Sequence, residues 1–342
     1  MNLKNTLALA TLGLGITLQA HAETIYIDQR YGPGGTGTSN APYNTIQAAL
    51  ANNNASVIII YPGTYSERLD VTRSVTILGY DGPHTTKLEA SAGGDAVSLR
   101  SGISVTIQGL TISSGERGVY QPTTGTLYLK NCIICGNTSH GIMVERTESQ
   151  NAPNVFIDNC IVVANGGSGL YLTLYDFGYN GRYAPDVRAF NNIFSANQRF
   201  CVEANYDDWG RGYAGGTITL DYNDYVGSGL GNYSGLFGPG QEISVGTNSF
   251  TLAPEFIGGS GGICNQDFRL LPTSPCKNAG QPGLGWLNPD GTRNDLGAYG
   301  GPGAATFYTN PNDGPIIRNV TIDQGMVPKG STFTIRATGA VR

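Results

Sequence analysis

The sequence predicts an all-β solenoid, in which short strands wind into stacked coils. The main observation is a short sequence pattern that occurs five times. Each copy has an apolar strand, a one-residue corner that we call the pinch, and a second short strand. A repeat of this length cannot bury its own apolar face, so it must stack on its neighbours. The copies are VTIQGLTISSG, LYLKNCIICGN, VFIDNCIVVAN, VRAFNNIFSAN and ITLDYNDYVGS, beginning at Val105, Leu127, Val155, Val187 and Ile218.

The composition agrees with this fold class. The 342 residues are 39% hydrophobic and 13% charged, and 50 of them are glycine. That length is enough for one large domain, and many short strands with frequent turn residues are typical of all-β proteins. The net charge of −5 gives no electrostatic reason to expect a nucleic-acid partner.

The first residues have the features of an export signal. Lys4 supplies a positive charge, Thr6 to Leu18 is apolar, and Ala20-His21-Ala22 fits a cleavage site. We expect cleavage after Ala22, no later membrane span, and a secreted or cell-surface monomer. The predicted divisions are a signal peptide at 1–22, a solenoid at 23–305, and a linker with a further β segment at 306–342.

One helix is predicted, over Tyr43 to Asn53. Ile46, Ala49 and Leu50 share one face, and Asn44 is the predicted N-cap. A stack of coils has an open end with unpaired apolar surface, which such a helix would cover.

The pinch is an asparagine in the middle three copies, at Asn131, Asn159 and Asn191. Asparagine tolerates the left-handed backbone that a tight corner needs. We expect these side chains to form a structural ladder, each amide bonding the next coil. The ladder should end at Gly109 and Tyr222, which hold this place in the first and fifth copies.

Six cysteines in an exported protein could form disulfides. Cys132 and Cys160 hold equivalent places and are predicted to be a column of buried thiols. Cys135 completes a C-x-x-C spacing with Cys132, but its place in the coil predicts a core residue instead of a metal ligand. The predicted disulfide joins Cys264 to Cys276 across a turn-rich segment.

The early coils carry a family resemblance. The helix followed by V-I-I-I-Y-P-G-T-Y-S-E and S-V-T-I-L-G-Y closely resembles the start of the pectin-lyase-like superfamily, and the likeness extends to about Tyr225. It implies a single-stranded right-handed parallel β-helix of three sheets, with sugar polymers as common ligands on one outer face. Within that superfamily the fold does not fix the activity.

The segment from Glu255 to Gly301 resembles the closing segment of large secreted bacterial β-helix proteins that often carry surface anchors. It is predicted to cap the last coil. Its oxygens at Asn288, Asp290, Asn294 and Asp295 leave two interpretations open. One is a calcium loop, and the favoured one is a turn in which Arg293 holds a carboxylate.

The last residues, Ile316 to Arg342, predict two alternating strands joined by a turn. They resemble the opening strands of an immunoglobulin-like module. Too few residues remain to complete such a sandwich.

Strand alternation locates the candidate functional face on the third strand of each coil. The predicted inward positions are Val119, Ile142, Leu170 and Val202. The predicted outward column is Tyr120, Met143, Tyr171 and Glu203, and the next column is Glu145, Thr173 and Asn205.

Three insertions follow these third strands, at Arg146–Asn154, Leu174–Asp186 and Tyr206–Gly216, and should form one lobe beside a groove. Flat rings stack on sugars, and charged groups bond hydroxyls, although these rings could also simply pack the lobe against the sheet. The candidate substrate-binding residues are Tyr120, Tyr171, Asp176, Tyr179, Tyr183, Tyr206, Trp209 and Tyr213.

Two chemistries fit this residue set. Hydrolysis would need two carboxylates about 5–9.5 Å apart, drawn from Glu145, Glu203, Asp207 and Asp208. Elimination from a uronate would need Arg182 or Arg211 as the base and calcium held by aspartates. The calcium candidates are Asp176, Asp207 and Asp208.

Two functions therefore remain open. The first is an exported polysaccharide lyase or glycoside hydrolase, or a carbohydrate-binding relative of these. The second is a non-catalytic, adhesin-like surface or matrix protein that binds glycans. The catalytic motifs of pectin methylesterases, which the early coils also resemble, have no counterpart in this sequence.

Overall fold

The computed structural model describes residues 23–91, 93–122, 124–145, 153–174, 185–206, 217–234, 242–259, 264–307, 316–322 and 335–340. Regular structure in these ranges is almost entirely β, with one α-helix, α1 (Ile46–Leu50), and two short 3-10 helices (Leu284–Trp286 and Pro302–Ala304). In chain order the strands are β1 (Glu23–Ile27), β2 (Ala55–Ile60), β3 (Gly63–Tyr65), β4 (Leu69–Val71), β5 (Val75–Gly79), β6 (Thr86–Glu89), β7 (Val97–Leu99), β8 (Ile103–Gln108), β9 (Thr111–Ser113), β10 (Val119–Pro122), β11 (Gly125–Lys130), β12 (Ile133–Cys135), β13 (Ile142–Glu145), β14 (Asn154–Asp158), β15 (Ile161–Val163), β16 (Leu170–Leu174), β17 (Asp186–Phe190), β18 (Ile193–Ser195), β19 (Phe200–Tyr206), β20 (Thr217–Asp221), β21 (Asp224–Val226), β22 (Gly231–Ser234), β23 (Glu242–Val245), β24 (Ile316–Ile322) and β25 (Ile335–Ala340).

The strands form three parallel sheets, each receiving one strand from successive coils. The first sheet has the order β1-β2-β5-β8-β11-β14-β17-β20-β23. The second is β3-β6-β9-β12-β15-β18-β21, and the third is β4-β7-β10-β13-β16-β19-β22. This arrangement confirms the predicted all-β solenoid of stacked coils.

The register of the third sheet confirms the predicted alternation. Val119, Ile142, Leu170 and Val202 pair across successive strands, and each is fully buried in the core. Burying such side chains, at about 25 cal/mol per Å² of apolar surface, is the main force that holds the coils together.

The helix is shorter than predicted, and Thr45, not Asn44, is its N-cap. The Thr45 hydroxyl accepts from the Ala48 amide at 3.3 Å. Glu67, in the next coil, also accepts from the first two helical amides, at 2.8 and 2.9 Å. The predicted apolar face is confirmed, because Ile46, Ala49 and Leu50 are buried against the first coils.

The corner between the first and second strands of each coil is left-handed, as predicted for the asparagines. Their φ values are 50°, 53° and 60° at Asn131, Asn159 and Asn191. Gly109 (φ 72°) and Tyr222 (φ 52°) adopt the same conformation, so the corner is shared by all five copies.

The predicted ladder of these corner asparagines is wrong. The Asn131 amide donates to the carbonyls of Ala298 and Gly300, and the Asn159 amide donates to Asn294, Asp295 and Gly297. The corner side chains therefore bond a distant part of the chain and not the neighbouring coil.

A real asparagine ladder lies at the next corner, after the second strand. The Asn137 amide donates to Asn165 at 2.9 Å, and the Asn165 amide donates to Asn197 at 2.9 Å. All three residues are buried and sit at the last position of the repeated pattern. The ladder satisfies polar groups inside the stack, where an unpaired amide would cost about 1–3 kcal/mol.

The bonding partner of the first corner is a C-terminal strap, which we define as residues 253–259 and 264–307. Its apolar residues Phe256, Phe268 and Leu296 cover the outer face of the second sheet. The strap then follows the first corners back along the stack, from Asn191, which accepts from the Gln281 amide, to Gln108, which donates to Gly303. The prediction that this segment caps the last coil is wrong.

The disulfide joins Cys135 to Cys264, so the predicted pairing of Cys264 with Cys276 is wrong. The bond ties β12 of the second sheet to the strap, with the two Cα atoms 5.6 Å apart. Cys132 and Cys160 are buried free thiols, as predicted.

The turn around Asp290 is held by internal hydrogen bonds. Asn288 donates to Thr292 and Arg293, while Asp290 accepts from the amide and hydroxyl of Thr292. Arg293 donates to the carbonyls of Gly280 and Ala279, so the prediction that it holds a carboxylate is wrong.

The hairpin predicted near the C-terminus is confirmed, since β24 and β25 pair in antiparallel fashion. The immunoglobulin-like resemblance and the three domain boundaries stay predictions. The predicted signal peptide, 1–22, lies outside the described residues. In the described ranges, no helix combines the length and the hydropathy that a membrane crossing requires.

Two substitutions at Asn159 separate the two roles of a corner asparagine. Asn159→Gly keeps the left-handed backbone but loses the bonds to the strap, and we expect a loss of about 2–3 kcal/mol in unfolding free energy. Asn159→Ala should cost about 1 kcal/mol more, because alanine resists the left-handed conformation. Urea unfolding measures both values. Equal stability of the two variants would contradict a backbone role for this residue.

Asp224 predicts an unusual pH dependence of stability. It is fully buried, accepting from the Leu252 amide at 3.0 Å and the Cys276 thiol at 3.4 Å, and burial raises its pKa to about 6. The folded state therefore binds the extra proton, so stability should fall by about 2–3 kcal/mol as the pH rises from about 4 to about 6.

Asp224→Asn should abolish this fall and be the more stable protein at pH 7. Thermal unfolding between pH 4 and pH 8 checks it. Asp267→Asn, which changes a strap aspartate paired with Arg269, serves as the control. An unchanged slope in Asp224→Asn would show that another group causes the pH dependence.

Candidate functional site

The candidate site lies on the outer face of the third sheet. Register confirms the predicted column of Tyr120, Met143, Tyr171 and Glu203. The pairing also extends this column towards the N-terminus, because Tyr120 pairs with Ser98, which pairs with Asp70.

A cleft of about 580 Å³ opens at the N-terminal end of this face, over β4, β7 and β10. Loops on one side and the strand ends on the other bring charged groups to it. Its lining is Arg68, Leu69, Asp70, Gly94, Asp95, Ser98, Leu99, Arg100, Ser101, Tyr120 and Pro122.

Two arginine–aspartate pairs stand at the cleft. Arg100 donates to both carboxylate oxygens of Asp70, at 3.1 and 2.8 Å, and both side chains are largely exposed. Arg117 bonds Asp95 in the same way, at 2.6 and 3.0 Å, and is more buried. These two-point pairs hold planar, charged hydrogen-bonding groups in fixed orientations.

Tyr120 is held in place from two sides. The Arg117 guanidinium carbon lies 3.8 Å from the centre of its ring, and its hydroxyl donates to the Glu145 carboxylate. Burial and the bond to Glu145 raise the pKa of Tyr120 to about 12, so the phenol stays protonated at physiological pH.

Arg68 differs from the other cleft arginines. It is exposed, and no carboxylate among the described residues pairs with it. A side chain at Gly94 would place its Cβ 2.8 Å from the Arg68 guanidinium, and Gly94 has a φ of 110°. The glycine therefore leaves room for a cation that is free to meet an anionic ligand.

Glu203, a predicted catalytic residue, is engaged by other groups. Arg199 donates to both of its oxygens, at 3.0 and 2.6 Å, and the buried Ser168 hydroxyl donates to it as well. Burial raises the pKa of Glu203, but the bonds from Arg199 and Ser168 outweigh it and hold the pKa below its usual value. A carboxylate that stays ionised is a poor general acid, whereas the nucleophile or base of a hydrolase is itself an ionised carboxylate.

The predicted aromatic residue Tyr171 stacks on His140, with ring centres 4.1 Å apart. His140 accepts from the Ser168 amide at 3.0 Å, and burial lowers its pKa. These contacts connect Tyr171 to the group around Glu203 on the same face of the third sheet.

The remaining predicted site residues give no test of the catalytic hypotheses. The backbone of Tyr206 lies in β19 and pairs with Leu174, and its side chain lies outside the described part of the structure. The others lie outside the described residues: Asp176, Tyr179, Arg182, Tyr183, Asp207, Asp208, Trp209, Arg211 and Tyr213.

Calcium also remains a prediction. Over the described ranges, no group of three or more histidines, cysteines, aspartates or glutamates is placed to hold a metal ion. The oxygens of Asn288 and Asp290 do not fit a calcium loop, because the turn's own donors already occupy them.

The cleft charges were missed by the sequence analysis. Arg68, Asp70, Asp95, Arg100 and Arg117 lie in or beside coils that precede or begin the obvious repeat. The available signal was the in–out alternation of the short strands L-D-V and V-S-L, which places Asp70 and Ser98 outward.

A comparison with protein families shows where this architecture belongs. Residues 73–250, about half of the chain, match the profile of the right-handed β-helix region. The chain belongs to this family. Its three sheets therefore form a right-handed parallel β-helix, the fold that the sequence resemblance implied.

Solved structures similar to this β-helix are distant from it. A pectate lyase is 13% identical, with a TM-score of 0.33, over 82% of this chain and 97% of that chain. A pectin methylesterase with a bound hexasaccharide is 12% identical, with a TM-score of 0.32, over 61% and 80%. A rhamnogalacturonan lyase is 11% identical, with a TM-score of 0.28, over 69% and 91%. No curated protein matches the sequence.

Glu203→Gln tests whether this carboxylate holds the β-helix together. Removing its charge weakens the bonds from Arg199 and Ser168, so we expect a loss of about 1–2 kcal/mol at pH 7. Because the folded pKa is lowered, the stability is present above about pH 4.3 and is lost as the pH falls through the folded pKa.

Thermal unfolding from pH 3 to pH 8 measures the difference between Glu203→Gln and the wild-type protein. Glu116→Gln, which alters an exposed carboxylate, is the matched control. If Glu203→Gln is as stable as the wild-type protein but no longer turns over a polysaccharide, Glu203 acts in catalysis instead.

Proposed function

We propose that this β-helix is an exported protein that binds a polysaccharide in the cleft over β4, β7 and β10. The observation that carries the proposal is the cleft itself, which is lined by the Arg100–Asp70 pair, by Asp95 with Arg117 behind it, by the fixed Tyr120 and by the free Arg68.

The paired groups suit a hydroxyl-rich ligand. A guanidinium has five N–H donors, so Arg100 keeps donors for a ligand after bonding Asp70, whose carboxylate keeps lone pairs. The pairing fixes the orientation of these groups before binding, which lowers the entropy lost on association. Tyr120 also lines the cleft.

Arg68 gives the cleft a preference for an acidic polymer. Its exposed guanidinium can make two parallel bonds to a sugar carboxylate. The protein as a whole carries a net charge of −5, so attraction of an acidic chain depends on this local charge.

The hydrogen bonds of the described carboxylates favour a binding function over a catalytic one. Glu203 is bonded by Arg199 and Ser168, and Glu145 accepts from Tyr120, so neither supports the predicted paired-carboxylate mechanism. Hydrolysis or elimination would depend on the predicted residues outside the described ranges, such as Asp207 and Asp208.

Affinity gel electrophoresis on a panel of acidic and neutral polysaccharides tests the proposal. Arg68→Ala should weaken binding of an acidic polymer about tenfold, the loss typical of one charged hydrogen bond. Arg269→Ala, which removes a strap arginine, is the matched control. Equal weakening by both variants, or no binding by the wild-type protein, would overturn the cleft assignment.

Reducing ends and unsaturated products are measured on the same panel. Binding without either product supports the non-catalytic function. Turnover that Asp208→Asn abolishes would show that the protein is an enzyme.

A further inference from the structure

We propose that the N-terminal part of the first sheet carries a second sugar-binding surface, which takes a neutral polysaccharide chain. This tyrosine platform lies on a different sheet from the cleft and does not depend on the function proposed there. It consists of Tyr26, Val57, Ile59, Tyr61, Leu78 and Tyr80.

The platform residues point away from the core. Ile58, Ile60 and Ile77 are fully buried, so the residues that alternate with them face outward. Register aligns Tyr26 with Ile59 and Ile59 with Leu78, across β1, β2 and β5. All the platform side chains are partly or largely exposed to solvent.

The three tyrosine rings form a row from coil to coil. The Tyr26 and Tyr61 ring centres are 6.2 Å apart, with 22° between their planes. The Tyr61 and Tyr80 centres are 5.3 Å apart, with the rings near perpendicular, and Tyr80 is 41% exposed. Tyr26 pairs with Ile59, two residues before Tyr61, so the row runs diagonally across the coils, and its ring spacings suit an extended chain.

The hydroxyl groups of these tyrosines remain available. Among the described residues, none bonds the phenol oxygens of Tyr26, Tyr61 or Tyr80. Tyr65, in the same region, differs because it is buried and its hydroxyl donates to the Tyr61 carbonyl at 2.9 Å. A tyrosine with an accessible ring and a free hydroxyl can both stack on a sugar and bond to it.

The six platform residues are uncharged and the Asp28–Arg30 pair beside Tyr61 carries no net charge, which favours a neutral ligand. Its remaining outward positions include Thr24 and Thr76, and the charged residues that follow β1, Asp28 and Arg30, bond each other at 2.9 and 2.7 Å. Nothing here matches the free Arg68 of the cleft. An acidic polymer would find no unpaired positive charge among the described residues of this surface. A neutral chain does not need one.

A second copy of the chain is a less well supported occupant. It would need a large, well-packed interface of about 800 Å² per partner. The rings here stand out unevenly, since Tyr61 and Tyr80 are near perpendicular. Hydroxyl groups without protein partners are better matched by the hydroxyls of a sugar than by an apolar surface.

The test is affinity gel electrophoresis of the full chain in soluble neutral polysaccharides, namely xyloglucan, mixed-linkage β-glucan and soluble starch. We expect retardation by at least one polymer, and Tyr80→Ala and Tyr26→Ala should each reduce it about tenfold. Tyr128→Ala is the matched control, because it removes a half-exposed ring from the same sheet, stacked on Phe156 outside the platform. Thermal unfolding of each variant confirms that it is folded.

Several outcomes would overturn the proposal. One is that no neutral polymer retards the protein, and another is that Tyr128→Ala reduces retardation as much as the platform variants do. A third is that light scattering shows a dimer which Tyr80→Ala dissociates. Retardation by an acidic polymer is measured on the same platform variants, so failure of the platform and failure of the cleft are read separately.

Discussion

The structure depends on the left-handed corner between the first and second strands of each coil. One residue there, such as Asn159, reverses the usual sign of φ and turns the chain sharply from one sheet into the next. A corner of one residue fixes the distance between the two strands, so successive coils superpose in register. Among the five repeated coils, variation in length falls at other corners, above all at the one after the third strand.

The same corner has a second consequence. The side chains of its asparagines bond the strap: Asn131 and Asn159 donate to strap carbonyls, and Asn191 accepts from the Gln281 amide. The strap covers the apolar outer face of the second sheet, and the Cys135–Cys264 disulfide fixes it there. The outer faces of the first and third sheets carry exposed polar, charged and aromatic groups. Both surfaces proposed to bind sugars lie on these two faces.

Local periodicity explains what could be predicted from the sequence. The repeat showed the stacked coils, and strand alternation placed Tyr120 and Glu203 outward and Val119 inward. These features depend on residues near each other in the chain or at equivalent places in successive copies. The shared left-handed corner was recognised for the same reason.

Contacts between distant segments could not be predicted in this way. Nothing near Asn131 indicates that its amide meets a carbonyl 167 residues later, nor does the spacing of Cys135 point to Cys264, 129 residues away. The bond from Ser168 to Glu203 could not be foreseen, because Ser168 belongs to the preceding coil and meets Glu203 only when the two coils stack. The cleft was missed because its short strands precede the clear repeat.

Hydrogen–deuterium exchange with and without a bound acidic polysaccharide tests the central claim, that the third sheet binds the ligand. The account predicts slower exchange in the segments that line the cleft, 94–101 and 117–122, with no change in the strap. Slower exchange confined to the strap, or to the first sheet, would contradict it.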